Sequence, residues 1–265
     1  MDSRWHTIEM SCTASPPVSV RVYSAEGKVR TPPLVLYLRG GSFLEDKAEP
    51  AELPVAKALA SSGAVVIEAD YSTGSSNEFP AVIDRAFVAL NCLSNSRKQY
   101  GSAKSLLFVA GEEAGGNVAA GLALKARDRM PGKLAGQILL SPMIDPLMAS
   151  ISMRDADRIG MRQRWAEGWS RYLGKACGAA HPYAAPCLCT RLGRVAPAMI
   201  FTAEDDPLRD ETINYASRLR DAGIVVRLHV FPSGSGWTGL YRCEGGKWLS
   251  AVCDEFSGFV QDLKH

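Results

Sequence analysis

Apolar residues follow two patterns that alternate along the chain. Short apolar runs, typical of strands buried in a sheet, occur at residues 34–38, 64–71, 106–110, 137–142, 197–202 and 225–231. Longer segments with apolar residues at helical spacing lie between and after them, at residues 51–62, 82–93, 114–129, 211–222 and 248–263. Strands that alternate with helices predict a mostly parallel, twisted sheet flanked by helices, the α/β class.

Two regions depart from this rhythm. Residues 7–13 and 18–24 alternate apolar and polar side chains, which predicts half-buried edge strands and an antiparallel start. Residues 146–192 are arginine-rich and irregular, and we interpret them as a helical excursion, or lid, within a single domain of residues 1–265. Trp165 and Trp169 in this excursion either line a ligand pocket or form an apolar helix face. The arginines between 154 and 164 either attract an acidic ligand or lie on a solvated face.

Residues 106–117 contain the most informative turn in the chain. An apolar run ends at Gly111, and the small residues Ala114, Gly115 and Gly116 allow the next helix to pack closely on its strand. In serine hydrolases this strand, turn and helix carry the sequence G-x-S-x-G, and the strained turn exposes the serine oxygen. Here Glu113 occupies the position of that serine. We call residues 111–115 the elbow.

Composition and charge narrow the range of functions. The chain has 265 residues, of which 46% are hydrophobic and 22% charged, so one large domain is expected. The net charge is +2 without a basic run, which argues against a nucleic-acid partner. We predict no membrane span and a cytoplasmic location, because no apolar segment approaches 18 residues and no leader pattern is present.

The cysteine pattern gives no metal site. The seven cysteines are odd in number and scattered, and we expect reduced thiols. Cys187-x-Cys189 could be half of a metal site, but no second pair has the required spacing, so two buried thiols are the better interpretation. Neither a metal nor a cofactor is expected.

Several motifs, in order, resemble the hormone-sensitive-lipase family of α/β-hydrolases from about residue 18 onward. The family's H-G-G-G-F loop is similar to residues 39–43, and its G-D-S-A-G-G-N elbow to residues 111–117. Its D-Y-R and F-P-A-A-x-D-D segments are similar to residues 70–72 and 79–84, and its D-P-L-R-D-E motif is present intact at residues 206–211. The resemblance implies the α/β-hydrolase fold and a relation to carboxylesterases and acetyl hydrolases.

The triad that the resemblance implies is incomplete. Ester hydrolysis on this fold needs a serine nucleophile, a histidine base and an acid that orients the histidine. Asp206 matches the acid, but Glu113 stands at the serine position and Gly236 at the histidine position. The four histidines lie elsewhere in the sequence: His6, His181, His229 and His265. The triad is therefore degenerate, with Asp206, Glu113 and Gly236 at its three positions.

The oxyanion hole does not depend on the triad side chains, because its donors are backbone amides that persist when side chains change. The resemblance assigns them to Gly40, Gly41 and Ala114, with Arg39, Ser42 and Glu112 as neighbouring binding residues. An anionic Glu113 is expected to need partners. Either it occupies these backbone donors itself, or the Arg39 guanidinium holds it, unless Arg39 is only a surface residue.

Three functions follow from this sequence. The first is a non-hydrolytic pseudo-hydrolase that binds a small apolar or carboxyl-bearing ligand in the elbow pocket, or a protein, by a route resembling the plant gibberellin receptor of this family. The second is a lyase, isomerase, hydratase or unusual hydrolase that uses Glu113 as acid or base. The third is a carboxylic-ester hydrolase with replacement residues. An open pocket favours the second function, whereas a buried Glu113 in a filled pocket favours a structural or interaction role.

Two further expectations concern assembly and repair. A homo-oligomer is left open by the sequence. Because Asp206 and the glycine loop match the family, the double variant Glu113→Ser, Gly236→His is expected to gain weak esterase activity.

Overall fold

A computed structural model describes residues 3–12, 15–25, 29–44, 52–71, 77–174 and 181–264. Eight strands form one sheet: β1 (Ser3–Cys12), β2 (Ser15–Ala25), β3 (Leu34–Leu38), β4 (Val65–Ala69), β5 (Leu107–Glu112), β6 (Gly136–Leu140), β7 (Ala198–Ala203) and β8 (Val226–Phe231). The α-helices of the described residues are α1 (Pro54–Ser61), α2 (Ala81–Asn95), α3 (Arg97–Tyr100), α4 (Glu113–Arg129), α5 (Arg162–Leu173), α6 (Arg209–Asp221) and α7 (Trp248–Asp262).

The sheet has the spatial order β1-β2-β4-β3-β5-β6-β7-β8. β1 pairs with β2, and β2 with β4, in antiparallel directions. Every pairing from β4 to β8 is parallel. The predicted α/β architecture with a mostly parallel sheet and an antiparallel start is confirmed.

Helices cover both faces of the sheet. Buried side chains of α2, α4 and α6 pack with one face, and those of α1 and α7 pack with the other. Most strand residues from β3 to β7 are buried, because a parallel sheet between two helical layers exposes neither face. The carboxyl ends of the parallel strands therefore open into loops on one edge of the sheet.

Close backbone packing explains the glycines around the elbow. A Cβ added at Gly115 would lie 2.1 Å from the carbonyl oxygen of Leu38, which ends β3. A Cβ added at Gly111 would lie 2.3 Å from the carbonyl oxygen of Gly115. These contacts leave no room for a side chain, so both positions require glycine.

The segment after β6 places helices over this edge of the sheet. It includes 3-10 helices at Ser152–Ile159 and Pro186–Leu188 and the α-helix α5, while residues 175–180 lie outside the described ranges. Phe43, just after β3, stacks on Tyr172 of α5 with ring centroids 4.2 Å apart. A Cβ at Gly168 would lie only 1.7 Å from the carbonyl oxygen of Ser42, so α5 packs directly on residues 39–43.

The cysteines differ in part from the expectation. Cys92 is disulfide-bonded, so the prediction of reduced thiols is wrong at this position. Cys187, Cys189 and Cys253 carry free thiols. A pattern of scattered cysteines cannot indicate which side chains the fold brings together.

Two kinds of feature are absent from the described ranges. No group of three or more metal-ligating side chains that could hold a metal ion occurs there. Within the same ranges, no helix has the length and apolar character needed to cross a membrane.

Candidate functional site

The elbow retains a strained turn although its central residue is not serine. β5 ends at Glu112 and α4 begins at Glu113, whose φ is 53°. A residue other than glycine in this left-handed conformation costs roughly 1–3 kcal/mol and persists only where its surroundings enforce it. Glu113 is only 3% exposed, so the turn directs its carboxylate into the protein rather than into solvent.

Four donors converge on the Glu113 carboxylate. Oε2 accepts hydrogen bonds from the backbone N–H groups of Gly41 at 2.6 Å and Ser42 at 3.1 Å. Oε1 accepts from the Ser42 hydroxyl at 2.7 Å and from the indole Nε1 of Trp165 at 2.5 Å. Both oxygens therefore have two donors, which is how a buried carboxylate is stabilised.

Glu112 accepts a hydrogen bond from the preceding amide of the same loop, that of Gly40. Its Oε1 accepts from the Gly40 N–H at 3.5 Å, and its Oε2 accepts from the Tyr37 hydroxyl. Burial raises the pKa of Glu112 to about 7, the Tyr37 and Gly40 hydrogen bonds oppose this rise, and the charge of Glu113 adds to it. The N–H groups of residues 40, 41 and 42 are thus all directed at the two elbow carboxyl groups.

Arg39 is half-buried at the start of this loop. Its carbonyl oxygen accepts from the Tyr71 hydroxyl at 2.6 Å. Burial raises the pKa of Tyr71 well above its usual range, Glu113 adds to the rise, and the positive charge of Arg39 opposes it. None of the four hydrogen bonds to Glu113 described above comes from Arg39, and Ala114 lies fully buried in the first turn of α4.

Helix α5, in the segment after β6, contributes directly to the site. Trp165 donates to Glu113, and Arg164 Nε donates to the Ser42 hydroxyl at 3.2 Å. Arg154 and Arg158 are exposed, as a solvated face requires. The sequence left open whether Trp165 lines a pocket or belongs to an apolar helix face. Helical spacing does not reveal which buried polar group an indole N–H contacts.

Asp206, after β7, is buried and has five donors in the described part of the chain. Oδ1 accepts from the Leu208 N–H at 2.9 Å and from the Tyr241 hydroxyl at 2.5 Å. Oδ2 accepts from the Thr202 hydroxyl at 2.9 Å, the Trp237 Nε1 at 2.9 Å and the Ser141 hydroxyl. No histidine is among these donors.

Trp237, not Gly236, reaches the acid. Gly236 is exposed with a φ of 79°, and a Cβ added there would meet nothing within 4 Å. Trp237, at the start of the 3-10 helix Trp237–Arg242, is fully buried and also donates to the Ser141 hydroxyl at 2.8 Å. Sequence reasoning missed this residue, although its indole N–H is adjacent to the position where the family has its base.

No histidine of the described residues is among the hydrogen-bond donors given above for Glu113 and Asp206. His6 is exposed on β1, and His229 of β8 lies 3.6 Å from Glu255. His181 packs on the rings of Phe79 and Tyr183. His265 lies outside the described ranges.

An aromatic pair connects the two halves of the site. The Trp165 and Tyr241 rings meet edge to face with centroids 5.2 Å apart. Trp165 donates to Glu113, and Tyr241 donates to Asp206. In a catalytic triad a histidine would link the nucleophile and the acid. Among the described residues, the two carboxylates have separate donors, and the contact of the Trp165 and Tyr241 rings joins them.

Comparison with known proteins identifies relatives that share the fold. A family model described as alpha/beta hydrolase fold matches residues 35–235. The chain is 32% identical over 228 residues to carboxylesterase NlhH of Mycobacterium tuberculosis, covering 82% of this chain and 69% of that protein. It is 30% identical over 201 residues to esterase LipI of the same organism, covering 74% of this chain and 62% of LipI.

Two further relatives illustrate the range of the family. Gibberellin receptor GID1A of Arabidopsis thaliana is 28% identical over 243 residues, covering 86% of this chain and 68% of the receptor. The solved structure of a bacterial heroin esterase matches with a TM-score of 0.82 and 26% identity, covering 99% of this chain and 84% of the esterase. The chain thus spans 62% of LipI and 69% of NlhH. Because the family model covers most of the chain and NlhH exceeds 30% identity over two thirds of its length, this chain belongs to the hormone-sensitive-lipase-like family of α/β-hydrolases.

Proposed function

We propose that this protein is a non-hydrolytic member of its family, a pseudo-hydrolase that acts by binding. The observation that supports the proposal is the position of the Glu113 carboxylate, whose Oε2 accepts hydrogen bonds from the Gly41 and Ser42 N–H groups at 2.6 and 3.1 Å. An oxyanion hole accelerates acyl transfer by donating such N–H groups to the charge that develops on the substrate oxygen. Here the carboxyl group of Glu113 already accepts hydrogen bonds from both N–H groups.

The other requirements of hydrolysis are also unmet. A nucleophile needs an adjacent base, and the donors around Asp206 are Trp237, Tyr241, Ser141, Thr202 and the Leu208 amide, none of which takes a proton as a histidine does. A negative carboxylate beside the loop amides would also repel the tetrahedral oxyanion. Ester hydrolysis by replacement residues therefore has no set of groups to support it among the described residues.

Acid or base catalysis by Glu113 is less well supported than binding. A general base must contact the proton that it removes. Both Glu113 oxygens already accept two hydrogen bonds each, and the side chain is 3% exposed. A carboxyl-bearing ligand at the elbow would have to replace Glu113 at the same amides, so we propose that Glu113 is itself the internal ligand of this loop.

The proposal is tested with activated esters. Purified protein is incubated with p-nitrophenyl acetate and p-nitrophenyl butyrate, and separately with a fluorophosphonate probe, beside the Glu113→Ala and Asp206→Asn variants. We expect no ester turnover above the buffer rate and no covalent labelling in any of the three proteins. Turnover by the unmodified protein that Glu113→Ala abolishes would overturn the proposal. Turnover that is equal in all three would indicate a contaminating esterase.

A further inference from the structure

Helix α5 has a glycine at each end. Gly160, before the helix, has a φ of 70°, and Gly174, directly after it, has a φ of 59°. A Cβ added at Gly160 would meet nothing within 4 Å, so this glycine serves the left-handed backbone conformation rather than close packing. Residues at the ends of an element that absorb changes in φ and ψ act as hinges. The two glycines therefore allow α5 to turn as one body.

The Glu113 carboxyl group joins three parts of the chain. Glu113 belongs to the elbow, and it accepts from the Gly41 and Ser42 N–H groups of the loop of residues 39–43. It also accepts from Trp165 Nε1 of α5 at 2.5 Å. Three of the four donors described above are N–H groups, which can only donate, so the space between the loop and α5 fits a group that has only acceptors. A carboxylate is such a group.

Other polar contacts between α5 and this loop come from exposed side chains. Arg164 Nε donates to the Ser42 hydroxyl at 3.2 Å, and Arg171 Nη1 donates to the Leu44 carbonyl oxygen at 3.2 Å. Both arginines are exposed, so water can replace these bonds at little cost. The Trp165 indole is fully buried, and its N–H would be left unpaired if its acceptor were lost. The indole bond is therefore the polar contact that fixes α5 most strongly.

We propose that Glu113 is an autoinhibitory latch, whose carboxyl group holds α5 over the elbow and occupies the loop amides in place of a carboxylate ligand. The inference rests on the proposed pseudo-hydrolase, in which Glu113 is the internal ligand of the loop. While the latch is closed, α5 covers the elbow without any bound molecule. When Glu113 leaves the amides, Trp165 loses its acceptor, α5 turns about Gly160 and Gly174, and the same donors bind a small carboxylate from solution.

Hydrogen–deuterium exchange of the full chain, read by mass spectrometry over peptides from α5 and α2, tests the latch. Helix α2 packs in the same core cluster as α5 and gives none of the four hydrogen bonds to Glu113, so it reports global stability. Glu113→Ala should raise the exchange rate of α5 relative to α2 by about tenfold or more, because a lost buried hydrogen bond to a carboxylate shifts a local opening equilibrium by such a factor. Glu167→Ala, at an exposed position of α5, should change neither helix.

Acetate supplies the carbon and oxygen atoms that Glu113→Ala removes. Sodium acetate should therefore restore the protection of α5 in this variant, with a saturable dependence on concentration. Sodium chloride at the same ionic strength should not restore it, and neither should acetamide, which presents an NH₂ group to the donors. The unmodified protein should not respond to acetate, because its own Glu113 fills the site.

Each outcome decides the inference. Equal rises of exchange in α5 and α2, no rise in folded Glu113→Ala, or a selective rise that acetate does not reverse would overturn it. Circular dichroism shows whether the variants are folded.

Trp165→Phe carries the test if Glu113→Ala does not fold. It removes the indole N–H, keeps an aromatic ring against Tyr241 and should also raise the exchange of α5 selectively. Trp169→Phe makes the same change on the same helix at an indole that is not among the donors to Glu113, and should raise the exchange of α5 less. Ester turnover does not enter these measurements, so a failed latch leaves the pseudo-hydrolase standing, whereas ester turnover that Glu113→Ala abolishes would overturn the pseudo-hydrolase.

Discussion

At the scale of single residues, the length and polarity of the Glu113 side chain fit the loop of residues 40–42. The left-handed turn that would expose a serine instead directs a longer side chain back over residues 40–42. A Cβ at Gly40 would lie 2.6 Å from Glu113 Oε2, so the loop glycine and the elbow glutamate fit together only as a pair. Trp237 has the same kind of match with Asp206, because its indole N–H takes the position of a donor that a triad histidine would supply.

The match predicts an order of stability among variants of Glu113. Glu113→Gln keeps an acceptor for the loop amides but presents an NH₂ group to Trp165 Nε1, so it should lower the free energy of unfolding modestly. Glu113→Leu has nearly the same size but leaves the Gly41 and Ser42 N–H groups and the Trp165 indole unpaired. Each buried unpaired donor costs about 1–3 kcal/mol, so this variant should be clearly the least stable.

Urea unfolding at pH 7, followed by circular dichroism, measures both differences. The matched control is Glu167→Leu, which makes the same substitution at an exposed position of α5 and should change stability little. Equal stability of Glu113→Leu and the unmodified protein would contradict the internal-ligand role of Glu113.

At the scale of elements, α5 covers one half of the site and the segment after β8 covers the other. α5 places Trp165 on Glu113 and Arg164 on Ser42, and Gly168 lets it approach the loop backbone. The 3-10 helix after β8 places Trp237 and Tyr241 on Asp206. The position from which a side chain reaches the acid is therefore 237, whereas position 236 faces open space.

This geometry changes the expectation for a repaired triad. The sequence favoured the double variant Glu113→Ser, Gly236→His, but we expect it to remain inactive. Its new histidine would lie at an exposed position, and the Trp237 indole would still donate to Asp206. Glu113→Ser with Trp237→His places an imidazole beside Asp206 and should show weak hydrolysis of p-nitrophenyl acetate above the Glu113→Ser level.

The comparison of the two double variants is the decisive measurement. Trp237 packs on Phe231 and Trp248, so its replacement by histidine leaves a partial void. Truncation of a buried tryptophan to alanine costs about 3–5 kcal/mol, which is an upper limit for this variant, and circular dichroism must show that it is folded. Higher activity of the variant at position 236 than of the variant at position 237 would refute this account.

At the scale of the whole molecule, the sheet gathers these groups because the carboxyl ends of its parallel strands share one edge. Glu112 and Glu113 follow β5, Ser141 follows β6 and Asp206 follows β7. Burial of several carboxyl groups near this edge has a global consequence for stability. The pKa of Glu112 rises from 4.5 to about 7 and that of Glu211 from 4.5 to about 8, in both cases chiefly through burial.

These shifts predict a fall in stability as pH increases. Between pH 4.5 and 8 the folded state retains protons on Glu112 and Glu211 that the unfolded state has released, so the free energy of unfolding decreases through this window and levels off above it. Each pKa unit corresponds to about 1.4 kcal/mol, so the two rises together correspond to an upper limit of roughly 8 kcal/mol.

Urea unfolding at pH 5 and pH 8 measures this fall. Glu112→Gln and Glu211→Gln should each reduce the difference between the two pH values, because glutamine does not titrate, whereas Glu167→Gln should leave it unchanged. A difference that neither variant reduces would show that these carboxyl groups do not carry the pH dependence.

The sequence by itself determined the order of strands and helices, the parallel centre of the sheet and the replacement of the elbow serine by Glu113. These features are local, because periodicity reports which side of an element is buried and a motif reports a turn at a known spacing. Predicted boundaries differ from the structure by up to four residues, as at β1, which begins at Ser3 rather than at residue 7.

Only the tertiary structure decided which donors meet the two carboxylates. Trp165, Trp237 and Tyr241 lie 52, 31 and 35 residues from the carboxylates to which they donate. Such contacts depend on loop paths and side-chain rotamers that no local pattern encodes. For the same reason the disulfide at Cys92 had no signal in the sequence.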